Sequence, residues 1–142
     1  NFLWMMYRSG WGTKPDQEVV LAVRIQRAAF DQLLTAAVPS SFEASDLSDC
    51  GSWQEALRTS DVRLQWDPDH GPGGQRLTRR AIQLGLRGTP VRRYAREWIV
   101  SIDDISDFVA AQRALALAGD PRLLTPREEV YPWPTDPDPD VR

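Results

Sequence analysis

Asp61-Val62-Arg63-Leu64-Gln65-Trp66-Asp67 and, shortly after it, Leu77-Thr78-Arg79-Arg80-Ala81-Ile82-Gln83-Leu84-Gly85-Leu86 decide the fold class. In the first, Val62, Leu64 and Trp66 alternate with Arg63, Gln65 and Asp67. That is the two-residue period of a strand with one buried face. Pro68 is expected to end it, because proline cannot donate to the ladder. In the second, Ile82, Leu84 and Leu86 share one face, and Arg79, Ala81, Gln83 and Gly85 share the other. Strands this close in sequence pair antiparallel. Their polar faces would then put Arg63, Gln65, Asp67, Arg79 and Gln83 on one surface. The His-Gly-Pro-Gly-Gly stretch between them reads as a flexible loop. It lacks the Gly-Lys-Ser/Thr of a phosphate-binding P-loop.

The second informative stretch is the apolar run Phe2-Leu3-Trp4-Met5-Met6-Tyr7. A helix apolar on all sides must be surrounded by protein or lipid. A membrane span needs about 20 residues, so the run is expected at the centre of a core. At its end the character flips to Arg8, Ser9, Gly10, Trp11 and Lys14.

The remaining chain supplies more strands and helices. Glu18–Gln26 alternates like a strand, and Arg27–Ala37 reads as a helix ending before Pro39. Pro39–Cys50 reads as a polar loop. Ser52 with Glu55 has capping-box spacing for a short helix reaching Thr59. Thr89-Pro90 suits the start of a helix running to Glu97. Trp98–Ile102 is expected to be a strand. A helix capped by Ser106 or Asp107 should reach Ala118, where Gly119-Asp120-Pro121 stops it. Strands and helices thus mix without strict alternation. The expectation is an α+β fold, a small and mostly antiparallel sheet of about four strands with helices packed on it. One globular domain is expected over residues 1–124. From Thr125 the Pro/Asp-rich composition reads as an extended tail, pinned by Tyr131 and Trp133.

Composition narrows the function classes. The single Cys50 excludes an intrachain disulfide, and with the single His70 it excludes the usual zinc sets. No apolar run reaches membrane length and no basic segment precedes the first one, so a cytoplasmic location is the default. The start at Asn1 implies processing or truncation. Net charge is −3 but unevenly spread. Nine Arg between Arg58 and Arg96 face only Asp61, Asp67 and Asp69, whereas the chain from Ser101 onward is acidic. A basic middle suits an anionic ligand, a small molecule or a nucleic acid. The competing explanation is Arg-rich codon usage, since Lys14 is the sole lysine.

These observations converge on one candidate site. Arg8, Ser9, Trp11, Lys14, Gln65, Arg80 and Gln83 form the ligand-binding set, and Asp67 is the catalytic candidate. Arg binds phosphate oxygens bidentately and Lys adds a point charge. Glutamines offer both donor and acceptor to a base or ribose edge. Trp11 or Trp66 can stack a base. Asp67 suits a general base or oxocarbenium stabiliser in glycosidic chemistry. Three of them have a structural counterpart: Arg8 as a helix C-cap, and Gln65 with Gln83 as a cross-strand pair. A serine triad of Ser9, His70 and Asp67 lacks the Gly-x-Ser-x-Gly elbow and a rigid support.

Phe2-Leu3-Trp4-Met5-Met6-Tyr7-Arg8-Ser9-Gly10-Trp11-Gly12-Thr13-Lys14 resembles the signature of a microbial domain-of-unknown-function family, numbered four-two-nine-one. Three later pieces fit the same pattern: Val62–Pro68, Arg80–Leu86, and Val91–Tyr94 with Glu97–Val100. Family members usually carry an Arg- and Tyr-rich segment before the signature. Its absence here implies a fragment. The resemblance implies no established activity and suggests a link to ADP-ribose or nucleic-acid chemistry. The expectation is a nucleotide-like anion in a cationic pocket, with NAD or ADP-ribose as ligand, and ADP-ribosyl or glycosidic transfer or hydrolysis if it is an enzyme. The alternative is a non-catalytic module that uses the Arg-rich helix Val91–Glu97 as its contact surface. No membrane partner is expected, and no metal.

Overall fold

The computed structural model describes residues 1–133. Among them are five α-helices and two small, mostly antiparallel sheets, so the class is α+β as expected. The helices are α1 (Phe2–Ser9), α2 (Arg27–Ala36), α3 (Cys50–Thr59), α4 (Gly88–Arg93) and α5 (Ser106–Ala118). The strands are β1 (Leu21–Ile25), β2 (Val38–Pro39), β3 (Val62–His70), β4 (Arg76–Leu86) and β5 (Ile99–Asp104). The four expected strands are joined by β2, and they divide between the sheets β1-β5 and β2-β3-β4.

β1 and β5 run antiparallel. Gln26 N–H donates to Trp98 O and Ile105 N–H to Val20 O, both at 2.9 Å. Leu21, Val23, Val100 and Ile102 of this ribbon are exposed. β2 pairs parallel to β3, with Val38 opposite Arg63 and Pro39 opposite Leu64. β3 and β4 are joined by residues 71–75, too short for anything but an antiparallel hairpin. Contrary to the sequence reading, β3 continues through Pro68 to His70. β2 reaches only as far as Leu64. Pro68 lies past that pairing, and proline is tolerated outside the paired part of a strand's edge.

The chain divides into two compact units. The first comprises Asn1–Arg24, Trp66–Ala81 and Ser101–Glu129. Its core is Met6, Val20 and Val109, ringed by Phe2, Trp11, Ile105 and Phe108. α1 includes Leu3, Met5, Met6 and Arg8, residues of good helix propensity, and holds no Gly or Pro. Glu128 Oε1 accepts the Phe2 N–H at 2.9 Å, satisfying an orphan donor at the helix start. Gly10, at φ 60°, ends the helix in the left-handed conformation. Trp11 N–H then reaches back to Met6 O at 2.8 Å, as in a Schellman cap. α1 is not enclosed, which corrects the expectation drawn from its composition. Trp4, Met6 and Ser9 are buried, but Met5 is 45% and Tyr7 51% exposed. A core this small covers only part of the helix surface.

α5 starts where Asp104 Oδ1 accepts the Ser106 N–H at 2.9 Å, and ends at Gly119 with φ 61°. The Ser106 hydroxyl accepts Val20 N–H at 2.9 Å, tying the segment before β1 to α5. Buried Gln112 accepts Leu124 N–H at 2.7 Å and so holds the chain that follows the helix.

The second unit comprises Ile25–Gln65, Ile82–Val100 and the described residues from Val130. Ala29, Leu33, Val62 and Trp98 form its core, with Ala37, Leu84, Leu86 and Tyr94 packed against it. α3 is capped by Asp49 rather than Ser52. The Asp49 carboxylate accepts both the Ser52 N–H (2.9 Å) and its hydroxyl (2.7 Å). The expected Thr89–Glu97 helix starts one residue early and is split. α4 passes into a π-helical turn over Tyr94–Trp98 that brings Trp98 to the core. Gly88, at φ 59°, is required at its start, since a Cβ there would stand 2.5 Å from Asp61 Oδ2. Tyr131 is pinned as expected. Its hydroxyl donates to Asp31 Oδ1 at 2.8 Å, its ring meets Phe30 edge-on, and the Arg27 guanidinium lies 4.9 Å from the ring centroid. The end of the expected tail, residues 134–142, lies outside the described residues.

Candidate functional site

In the first unit, β3 ends on Asp69 and His70, both buried, at 2% and 5% exposure. Extension of the strand past Pro68 carries them inward. Asp69 Oδ1 accepts the His70 backbone N–H at 2.8 Å, and Oδ2 binds Arg79 of β4 at 2.7 Å. Burial pushes the Asp69 carboxyl up. The His70 backbone bond and the Arg79 guanidinium outweigh it and hold the group below the usual carboxylate range.

The His70 imidazole lies flat under the Tyr7 ring, centroids 3.7 Å apart. Gly74 closes on the same ring, its absent Cβ 3.7 Å from Tyr7 Cδ2. His70 Nδ1 is buried without a hydrogen-bond partner. Such an orphan costs about 1–3 kcal/mol of desolvation, and orphans of this kind concentrate where a group has a task other than stability. The hairpin end also carries exposed Arg76 and Arg80.

The residues named from sequence fall as follows. Arg8, exposed, lies with its guanidinium 5.3 Å from the Trp4 ring centroid. Lys14 Nζ donates to Arg8 O, so the only lysine caps the C-terminal end of α1. Ser9 is buried, its hydroxyl donating to Met5 O at 2.9 Å and accepting Gly12 N–H at 3.1 Å. Trp11 meets Phe2 edge-to-face at 6.0 Å. Asp67 is half-buried on β3 and Arg80 exposed on β4. Arg80 and Arg79 take opposite faces of that strand by the two-residue period.

All six of these residues, Arg8, Ser9, Trp11, Lys14, Asp67 and Arg80, belong to the first unit. Gln65 and Gln83 belong to the second. There Arg63 Cβ stands 3.8 Å from the position of a Gly85 Cβ, marking cross-strand partners. Two residues along the antiparallel ladder, Gln65 faces Gln83. The serine triad is not assembled: the Ser9 hydroxyl is bonded to backbone and His70 Nδ1 accepts nothing.

Sequence reasoning missed Tyr7, Asp69, His70 and Arg79 as a cluster. The available signal was the sole histidine next to an aspartate, ten residues from an arginine across a possible hairpin. Reading Pro68 as a strand end hid it. Among the described residues, no group of three or more His, Cys, Asp or Glu is placed to hold a metal ion. Among them also, no helix is long and apolar enough to cross a membrane.

No curated protein and no solved structure matches the chain. A family model described as Domain of unknown function (DUF4291) matches residues 1–131. That span takes in the α1 signature, the β3–β4 hairpin and the Tyr131 anchor, and the chain therefore belongs to the DUF4291 family.

Proposed function

We propose that the protein binds a phosphate-bearing, nucleotide-like ligand on the cationic side of its first unit, and that it acts in ADP-ribose chemistry on nucleic acid, by transfer or hydrolysis. One observation carries this reading: the Tyr7–His70 stack. It brings the end of α1, with Arg8, against the end of the β3–β4 hairpin, with Arg76, Arg79 and Arg80. Arg79 is engaged by Asp69, which leaves Arg8, Arg76 and Arg80 as the phosphate-binding cations. The open half of the Tyr7 ring is a stacking surface for a base. Asp67, on the same strand as His70, is the carboxylate for oxocarbenium stabilisation or base catalysis. The alternative contact surface on α4 is less open. Arg92 is bonded to Thr89, and Arg93 to Glu97 and over Trp98.

The test is a thermal-shift screen against ADP-ribose, NAD, ATP and a short RNA, followed by mass analysis of RNA incubated with NAD. Stabilisation by ADP-ribose or NAD that is lost in Arg8→Ala and Arg80→Ala supports the reading. No shift with any of the four, or a shift unaltered by both variants, defeats it.

A further inference from the structure

A second feature of the first unit lies apart from the Tyr7–His70 cluster. A cleft of about 140 Å³ is lined by Trp11, Thr13, Glu18, Ser106, Val109 and Arg113. We infer that this cleft binds a small zwitterion of the free α-amino-acid class. The Glu18 carboxylate would take the ammonium, the Arg113 guanidinium the carboxylate, and the Trp11 indole the side chain.

The charges are the first argument. Glu18 and Arg113 line one small cleft with opposite sign, yet they do not pair with each other. Among the described residues neither has an ion-pair or hydrogen-bond partner elsewhere. Lys14 and Arg79 of the same unit, by contrast, are bonded, to Arg8 O and to Asp69. A molecule carrying both charges closes such a gap, with each end making a charge-assisted bond. A simple anion or cation would satisfy one wall and be repelled by the other.

Volume is the second argument. Sites for drug-sized ligands occupy about 300–1,000 Å³. A cleft of about 140 Å³ is too small for a dinucleotide or a peptide and suits a single amino acid.

The third is the way the aromatic wall is built. Gly10, Trp11 and Gly12 all have positive φ, at 60°, 57° and 68°. The left-handed region costs a residue with a Cβ roughly 1–2 kcal/mol, and non-glycine residues held there cluster at ligand clamps and active sites. The cost at Trp11 is held in place from both sides. Its N–H is bonded to Met6 O, and a Cβ on Gly12 would stand 3.2 Å from Val20 Cγ2. The backbone of this turn thus presents the indole at the cleft. The hydroxyls of Thr13 and Ser106 are bonded to Gly10 O and Asp104, so the open charges in the wall are Glu18 and Arg113.

The experiment is a titration of the full chain with leucine, N-acetyl-leucine and leucine amide at millimolar concentration, followed by backbone amide NMR and calorimetry. Leucine is expected to shift Gly12, Thr13 and Ala110, with the two blocked forms at least tenfold weaker. Glu18→Gln should abolish discrimination against N-acetyl-leucine, and Arg113→Gln discrimination against leucine amide. Both residues are on the surface, and unchanged melting curves would verify that the variants fold. Absence of shifts with leucine overturns the inference. So does equal binding of the free and blocked forms, which would mean a merely apolar cleft. ADP-ribose binding is read by other residues, so failure here leaves the nucleotide proposal standing.

Discussion

The Tyr7 ring lies against the His70 imidazole with planes 10° apart and centroids 3.7 Å apart, and the imidazole beneath it is buried with Nδ1 unpartnered. A buried polar atom with no partner destabilises, so an apolar ring of similar shape should be tolerated there. His70→Phe is expected to keep the stack and leave the melting temperature unchanged or raised. If the cluster serves ligand binding, the same variant should lose the ADP-ribose thermal shift. Both quantities come from one set of melting curves. A clear fall in stability would show that the imidazole is needed for folding.

The Asp69–Arg79 pair predicts an acid limb in stability. The folded-state carboxyl titrates below its ordinary value, so its contribution is complete above that value. It is lost as pH falls from about 4 through the lower folded one. Arg79 is 49% exposed, which screens the pair. Arg79→Met should therefore cost about 1–3 kcal/mol at pH 7 rather than the larger figure for a fully buried pair. The cost should shrink toward pH 3. Urea midpoints across that range decide it, and an equal cost at both ends would contradict the assignment.

Two neighbouring methionines test the burial of α1. Met6 is 1% exposed and Met5 45%. Met6→Ala should cost about 2–5 kcal/mol, whereas Met5→Ala should stay within about 0.5 kcal/mol. Comparable losses would restore the enclosed helix that composition alone suggests.

Gly12 and Gly119 both have positive φ, but only Gly12 has a close neighbour. Ala at Gly119 should cost the backbone term alone, about 1–2 kcal/mol. Ala at Gly12 should cost more, because Val20 at 3.2 Å must also move. Denaturant midpoints of the two variants separate conformational strain from contact.

Much of the fold was legible because period and punctuation agree. The alternation Val62-Leu64 and Leu84-Leu86 marks the hairpin, and Gly119 after Ala118 marks the end of α5. The misreadings share a cause: a local rule was overridden by what lies beside the residue. Pro68 stays in its strand because it lies past the part of β3 that β2 pairs. Burial also stops alternating along β3: Val62 and Leu64 are buried at every second position, but Asp69 and His70 are buried in succession. A constant two-residue period therefore hid the inward turn of Asp69. The candidate site was less legible. Charge and residue type pointed to Arg8, Lys14 and Arg80, but no sequence pattern says that Tyr7 covers His70.

The β1–β5 ribbon bears on colloidal behaviour. Among the described residues it pairs with no third strand, and exposed Leu21, Val23, Val100 and Ile102 spread over its surfaces. Open edges with greasy side chains template chain-to-chain stacking, and charge is what restrains it. Asp103 and Asp104 supply that charge at one end. The Ser106 side-chain and backbone bonds hold the Asp104 carboxyl below its ordinary value. Acidification into the ordinary carboxylate range will thus leave Asp104 charged, which keeps one electrostatic guard against precipitation.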